Sequence, residues 1–108
     1  KKQHGTVGYV FDGDTLRLRG GQESRLRLWG VDAPEKDEAG FQEAKIALES
    51  IALNRKITFI EIDQDRYGRT VARVFLSDGR EVNRMMIESG TAKEYRRFSK
   101  GFYSWDTD

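Results

Sequence analysis

Two short alternating segments near the start of the chain constrain its fold more than any other feature. In Thr15–Arg19, Leu16 and Leu18 fall on one face and Arg17 and Arg19 on the other. In Arg25–Leu28, Leu26 and Leu28 stay in phase, opposed by Arg25 and Arg27. Alternation of apolar with charged residues marks strands that cover a core on one side and meet water on the other. Gly20-Gly21 between them is a turn signal. Thr6 to Phe11 precedes them as a further strand, so the first third reads as a three-strand meander.

From Phe41 the period becomes helical. Phe41, Ala44, Ala47, Leu48, Ile51 and Ala52 share one side, Glu43, Lys45, Glu49 and Ser50 lie opposite, and Asn54 is a stop. Ile57 to Ile62 and Thr70 to Leu76 read as two more strands, joined by the polar segment Asp63 to Arg69. Asp78-Gly79 is a turn, and Val82 to Ser89 a short helix that Gly90 caps. Three strands, a helix, two strands and a helix predict a five-stranded OB-type barrel, mainly β with two helices. At 108 residues, with no repeat, low-complexity segment or linker, the whole of 1–108 is expected to form one domain.

Charged residues make up 34% of the chain, but 19 basic and 18 acidic residues leave a net charge of only +1. Bulk charge therefore does not attract a polyanion, and any basic patch must be local. Lys93, Arg96, Arg97 and Lys100, interleaved with Tyr95 and Phe98, form one candidate. The chain has no cysteine, which excludes disulfides and thiolate metal sites. No apolar run approaches membrane-spanning length, so no membrane partner is expected. No signal-like segment is read, and the compartment stays open.

The chemistry lies in two acidic clusters, Asp12-Gly13-Asp14 and Asp32-Ala33-Pro34-Glu35. Each sits where a strand begins or ends, so both can lie on one rim of the barrel. Gathered carboxylates repel one another unless a cation joins them, and hard cations prefer such oxygens. Asp14 is in phase with Leu16 and Leu18, beside the core-facing row, and Gly13 lets the backbone turn. Pro34, the only proline, pushes Ala33 toward extended geometry, which presents the Ala33 carbonyl as a neutral ligand next to Asp32. Arg27 points away from the core, and Arg69 is in phase with Val71, Arg73 and Phe75. The guanidinium fork matches phosphate oxygens, so two arginines beside a metal could clamp a phosphate, with Glu35 as the natural general base.

Each feature has a plainer reading. Asp-Gly-Asp is most often a solvated turn, a proline often just ends a strand, and most of 19 basic residues are surface charges. Their combination raises the catalytic reading. Asp63, Asp65 and Gly68 imitate the opening of an EF-hand loop, but Val74 stands where the pattern needs an acid, so no such loop is expected. His4, the only histidine, gives little support to a histidine mechanism. Tyr67, Tyr95 and Phe98 are candidates for stacking on bases or for packing.

Phe11-Asp12-Gly13-Asp14-Thr15, Leu26-Arg27-Leu28, Val31-Asp32-Ala33-Pro34-Glu35 and Asp65-Arg66-Tyr67-Gly68-Arg69 resemble the staphylococcal nuclease (thermonuclease) family. Gly40 to Ala44, Asp78-Gly79 with Val82-Asn83, and Gly90 to Tyr95 extend the resemblance over roughly residues 6 to 98. It implies an OB-fold barrel and calcium-dependent hydrolysis of DNA and RNA, with single-stranded or flexible nucleic acid as the expected partner and a monomer as the expected state. It implies calcium ligands at Asp14, Asp32 and the Ala33 carbonyl, a general base at Glu35 and phosphate contacts at Arg27 and Arg69. Asp12 corresponds to an acid behind the ligands, and Arg66, Tyr67 and Tyr95 to nucleotide contacts. A secreted or cell-envelope setting is also implied. The loop after Glu35 is shorter than in the best-known member, and the family's third helix is expected to be absent or truncated, because Gly101 interrupts the last residues. The alternative is a non-catalytic nucleic-acid or protein-binding module on the same barrel.

Overall fold

The computed structural model describes residues 2–20 and 24–104. Five strands close a barrel in the order β1-β2-β3-β6-β5: β1 (Lys2–Asp12), β2 (Thr15–Leu18), β3 (Arg25–Leu28), β5 (Lys56–Gln64) and β6 (Thr70–Leu76). All neighbours are antiparallel except β3 and β6, which run parallel. This is the expected OB-type barrel. The turn predicted at Gly20-Gly21 lies partly outside the described residues.

The barrel interior is filled by the in-phase residues, with Leu16, Leu26, Leu28 and Val74 buried to 1% exposure or less. Helix α1 (Phe41–Ala52) closes one end through Ala44, Leu48 and Ala52, and Asn54 ends the segment in the left-handed region at φ 67°. Helix α2 (Val82–Glu88) buries Val82, Asn83 and Met86. Asn83 accepts from the Val74 N–H (2.9 Å) and donates to the Trp29 (2.9 Å) and Ala72 (3.1 Å) carbonyls. One buried amide thereby joins α2 to β6 and to the end of β3.

Two features differ from the sequence reading, and a third, the short last helix, agrees with it. β1 starts at Lys2 rather than Thr6, because Lys2–Thr6 pair with β5 while Val7–Asp12 pair with β2. A two-stranded sheet joins β4 (Val31–Asp32) to β7 (Lys93–Glu94), setting Asp32 opposite Lys93. Two-residue strands carry no readable alternation. A third helix, α3 (Arg96–Ser99), is present in truncated form. After it the chain turns back, and Tyr103 is buried with its hydroxyl 2.5 Å from Glu81 Oε2. Glu81 in turn receives both Nε (2.9 Å) and Nη2 (3.1 Å) of Arg73.

Gly13 is needed at this corner, but not for the reason expected. It has no positive φ; instead a Cβ at this position would stand 2.6 Å from Ala44 Cβ and 2.7 Å from Ala33 Cβ. Glycine therefore lets the corner between β1 and β2 press against α1 and the segment after β4. Gly13→Ala is expected to destabilise the protein by about 1–3 kcal/mol through overpacking, read as a lowered midpoint in urea unfolding.

Candidate active site

The corner between β1 and β2, the exit of β4, and the facing ends of β3 and β6 meet on one side of the barrel. Asp14 is 7% exposed and lies at their centre. Its Oδ1 accepts from the Thr15 hydroxyl (2.9 Å), and its Oδ2 from the Ala33 N–H (3.1 Å) and from Arg27 Nη2 (3.4 Å). The second acidic cluster is thus bonded directly to the first. Arg27 Nη2 also donates to the Val31 carbonyl (3.2 Å). Register places Thr15 opposite Arg27 and Arg27 beside Val71, which brings Arg69 to the same end.

Arg69 is held from two sides. Asp65 Oδ2 accepts from Arg69 Nε (2.6 Å), Asp65 Oδ1 accepts from the Arg69 N–H (3.0 Å) and the Tyr67 N–H (2.9 Å), and Thr15 Oγ1 accepts from Arg69 Nη1 (3.3 Å). Burial pushes the Asp65 carboxyl up, but these donors outweigh it and hold the group below its ordinary value. The aspartate that imitates a calcium loop instead organises the turn that aims Arg69. Thr15 and Asp65 are therefore functional candidates that motif reading overlooked. Thr15 hid as the first residue of a strand, and Asp65 as a loop acid.

A cavity of about 400 Å³ collects Asp12, Asp14, Arg27, Asp32, Ala33, Glu35 and Arg69, with Phe11, Lys36 and Phe41 on its rim. Seven of the expected site residues are brought together there. The remaining three, Arg66, Tyr67 and Tyr95, line an adjoining groove of about 320 Å³ with Trp29, Ile62 and Phe98. Arg27 and Arg69 belong to both spaces and form the wall between them. On the groove side, the Tyr95 ring lies 6.0 Å from the Arg27 guanidinium and the Tyr67 ring 5.6 Å from that of Arg69. Trp29 is backed by Phe102 and Tyr103 at 5.6 and 5.8 Å between ring centroids.

The acidic cavity suits a hard cation by its donors. Asp14, Asp32 and Ala33 offer carboxylate and carbonyl oxygens, the ligand type of calcium and magnesium. Among the described residues no three His, Cys, Asp or Glu side chains gather into a metal cluster, so an ion there would need the backbone and water beside two carboxylates. The unrelieved charge shows at Asp12, whose carboxyl is pushed up to about 6 by burial and then by the negative charge of Asp14. Asp32 and Glu35 lie exposed on the rim.

A sequence profile described as "Staphylococcal nuclease homologue" matches residues 25–105. The chain belongs to the staphylococcal nuclease family. An Escherichia coli protein named as an uncharacterized endonuclease is 33% identical over 97 residues, covering 89% of this chain and 63% of its own length. A Shigella flexneri protein named micrococcal nuclease is 31% identical over 105 residues, covering 89% of this chain and 60% of its own. A Rhizobium meliloti protein named succinoglycan biosynthesis protein ExoI is 39% identical over 106 residues, covering 88% of this chain and 54% of its own. The chain thus spans less than two thirds of the length of these relatives.

Two outcomes follow from the geometry. Without divalent cations, the folded protein holds a proton on Asp12 between about pH 4 and pH 6 that the unfolded chain has released. Stability therefore falls as pH rises through that window. Asp12→Asn should flatten the fall and raise stability above pH 6, on the order of 1 kcal/mol after solvent screening, in urea titrations at several pH values. Asp65→Ala should release Arg69 and lower any turnover of the site by about tenfold or more, while thermal unfolding shifts little.

Proposed function

We propose that the chain hydrolyses phosphodiester bonds of DNA and RNA as a monomer, with low sequence specificity and with calcium as its cofactor. One observation carries the reading: Arg27 and Arg69 form a wall shared by an acidic cavity and an aromatic groove. A nucleotide laid across that wall would set its phosphate on the two guanidinium groups and its base against Tyr67, Tyr95 and Trp29. Such contacts read the backbone and the base face rather than base identity. An accessible base favours single-stranded or flexible substrates.

Asp14, Asp32 and the Ala33 carbonyl would hold the cation, which when bound supplies positive charge at the phosphate and an acidified water. Glu35, exposed on the rim, would accept the proton of the attacking water at a carboxylate oxygen. Arg27 and Arg69 would hold the non-bridging oxygens and favour the negative charge that grows on them in the pentavalent transition state. Arg69 needs Asp65 and Thr15 to keep its aim, and Asp12 supports Asp14 by accepting its backbone N–H at 3.0 Å. Arg66, stacked 5.2 Å from the Tyr67 ring, is placed to reach a further phosphate.

A second reading, a binding module without catalysis, draws on the exposed rings Tyr67 (61%) and Phe98 (55%) beside the groove. The two separate in one assay. Calcium should produce fragments from single-stranded DNA, a chelator should abolish them, and Arg27→Ala or Glu35→Gln should cut turnover about 100-fold or more with circular dichroism unchanged. Undiminished cleavage in excess chelator would sink the cation's role. Retention of the strand without cleavage across several divalent ions would favour the module.

A further inference from the structure

We propose that the outer face of the β1–β2 ribbon is a second strand-binding surface, which takes the nucleotides flanking the scissile phosphate on the acidic-cavity side. The proposal rests on the hydrolytic reading above and extends it to longer single strands. Its starting point is an irregularity. The pairing of β1 with β2 slips between Val7 and Tyr9 and again between Val10 and Asp12. Val7 and Val10, three residues apart, are both turned into the core, so Gly8 and Tyr9 both face outward. Bulges beside a site commonly re-aim a side chain in this way.

The result is a ring pair outside the barrel. Tyr9 and Phe11 meet edge to face at 4.9 Å, and Tyr9 stays 43% exposed. The Arg17 guanidinium from β2 stands 5.2 Å from the Tyr9 centroid and 5.6 Å from that of Phe11. Lys45 from α1 adds a second cation 5.9 Å from Tyr9. Three separate elements thus bring rings and positive charge to one place that contributes nothing to the core. Rings with interleaved cations suit stacked bases and their phosphates.

Continuity with the cavity selects the occupant. Phe11 is also a rim residue of the acidic cavity, beside Asp12, Asp14 and Lys36. A strand crossing from the arginine wall over the acids meets Phe11 first. Tyr9 follows two residues along β1, its ring centroid 4.9 Å from that of Phe11. The chain's net charge of +1 supplies no general attraction for a polyanion, so local cations of this kind must guide it. An isolated ring pair elsewhere on the barrel would lack this path.

The test uses the full chain, a dinucleotide and a fluorescein-labelled 12-nucleotide single-stranded DNA, with Tyr9→Ala, Tyr9→Leu and Arg17→Ala. The expected result is a fall of about tenfold in kcat/KM on the 12-mer with the dinucleotide unchanged. The 12-mer Kd, read by anisotropy in chelator, should rise by a similar factor, and Arg17→Ala should reduce its salt dependence by about one phosphate contact. Tyr9→Leu keeps the outward apolar bulk, so a loss there reports the ring and not the fold. Equal losses on both substrates, or none on the 12-mer, would overturn the proposal. A change confined to sedimentation behaviour would also overturn it, assigning the face to a second copy of the chain. If neither substrate is cleaved but Tyr9 still governs 12-mer affinity, the hydrolytic reading fails and the surface stands. If both are cleaved equally by all variants, the reverse holds.

Discussion

Asp14 is the junction on which the site depends. A side-chain carboxyl that is 7% exposed needs donors to replace the water it has lost. Here they come from three places: the neighbouring Thr15 hydroxyl, the Ala33 N–H beyond β4, and Arg27 on β3. The same bonds that satisfy the charge also fix the distance between the two acidic clusters. Gly13 makes the arrangement possible, since any side chain there would collide with Ala33 and Ala44. The cost appears at Asp12, which sits half-buried beside this charge and holds its proton up to about pH 6.

The arginine wall is built by the opposite strategy. Both guanidinium groups are partly exposed, and each is aimed by acceptors on its own side of the wall. Arg27 is tied to Asp14 and the Val31 carbonyl, and Arg69 to Asp65 and the Thr15 hydroxyl. Thr15 touches both systems, donating to Asp14 and accepting from Arg69. A single hydroxyl therefore couples the acids to the phosphate contacts, which makes the site one hydrogen-bonded unit rather than two clusters that happen to be close.

The aromatic side of the wall depends on the end of the chain. Trp29 has its carbonyl held by Asn83 and its ring backed by Phe102 and Tyr103. Tyr103 is anchored in turn by Glu81, which Arg73 neutralises through two bonds. The short helix α3 and the return turn after it thus brace this side of the wall.

Alternation in Thr15–Leu18 and Arg25–Leu28, and the helical period from Phe41, were enough to determine the barrel and its two main helices. In each, one face is buried and the other wet, and that contrast is written directly into residue order. The same order placed the two acidic clusters at strand ends and turned Arg27 away from the core. β1 was legible only from Thr6, since its first residues, Lys2–Thr6, are set by pairing with β5 rather than by a pattern of their own. β4, β7 and α3 escaped this logic through being too short to show a period. Only the tertiary structure decided that Ala33 bonds to Asp14, that Thr15 and Asp65 steer Arg69, and that Gly13 is there for close packing. Those facts depend on contacts between segments up to 54 residues apart, as between Thr15 and Arg69, and on distances of a few ångströms that no local pattern encodes.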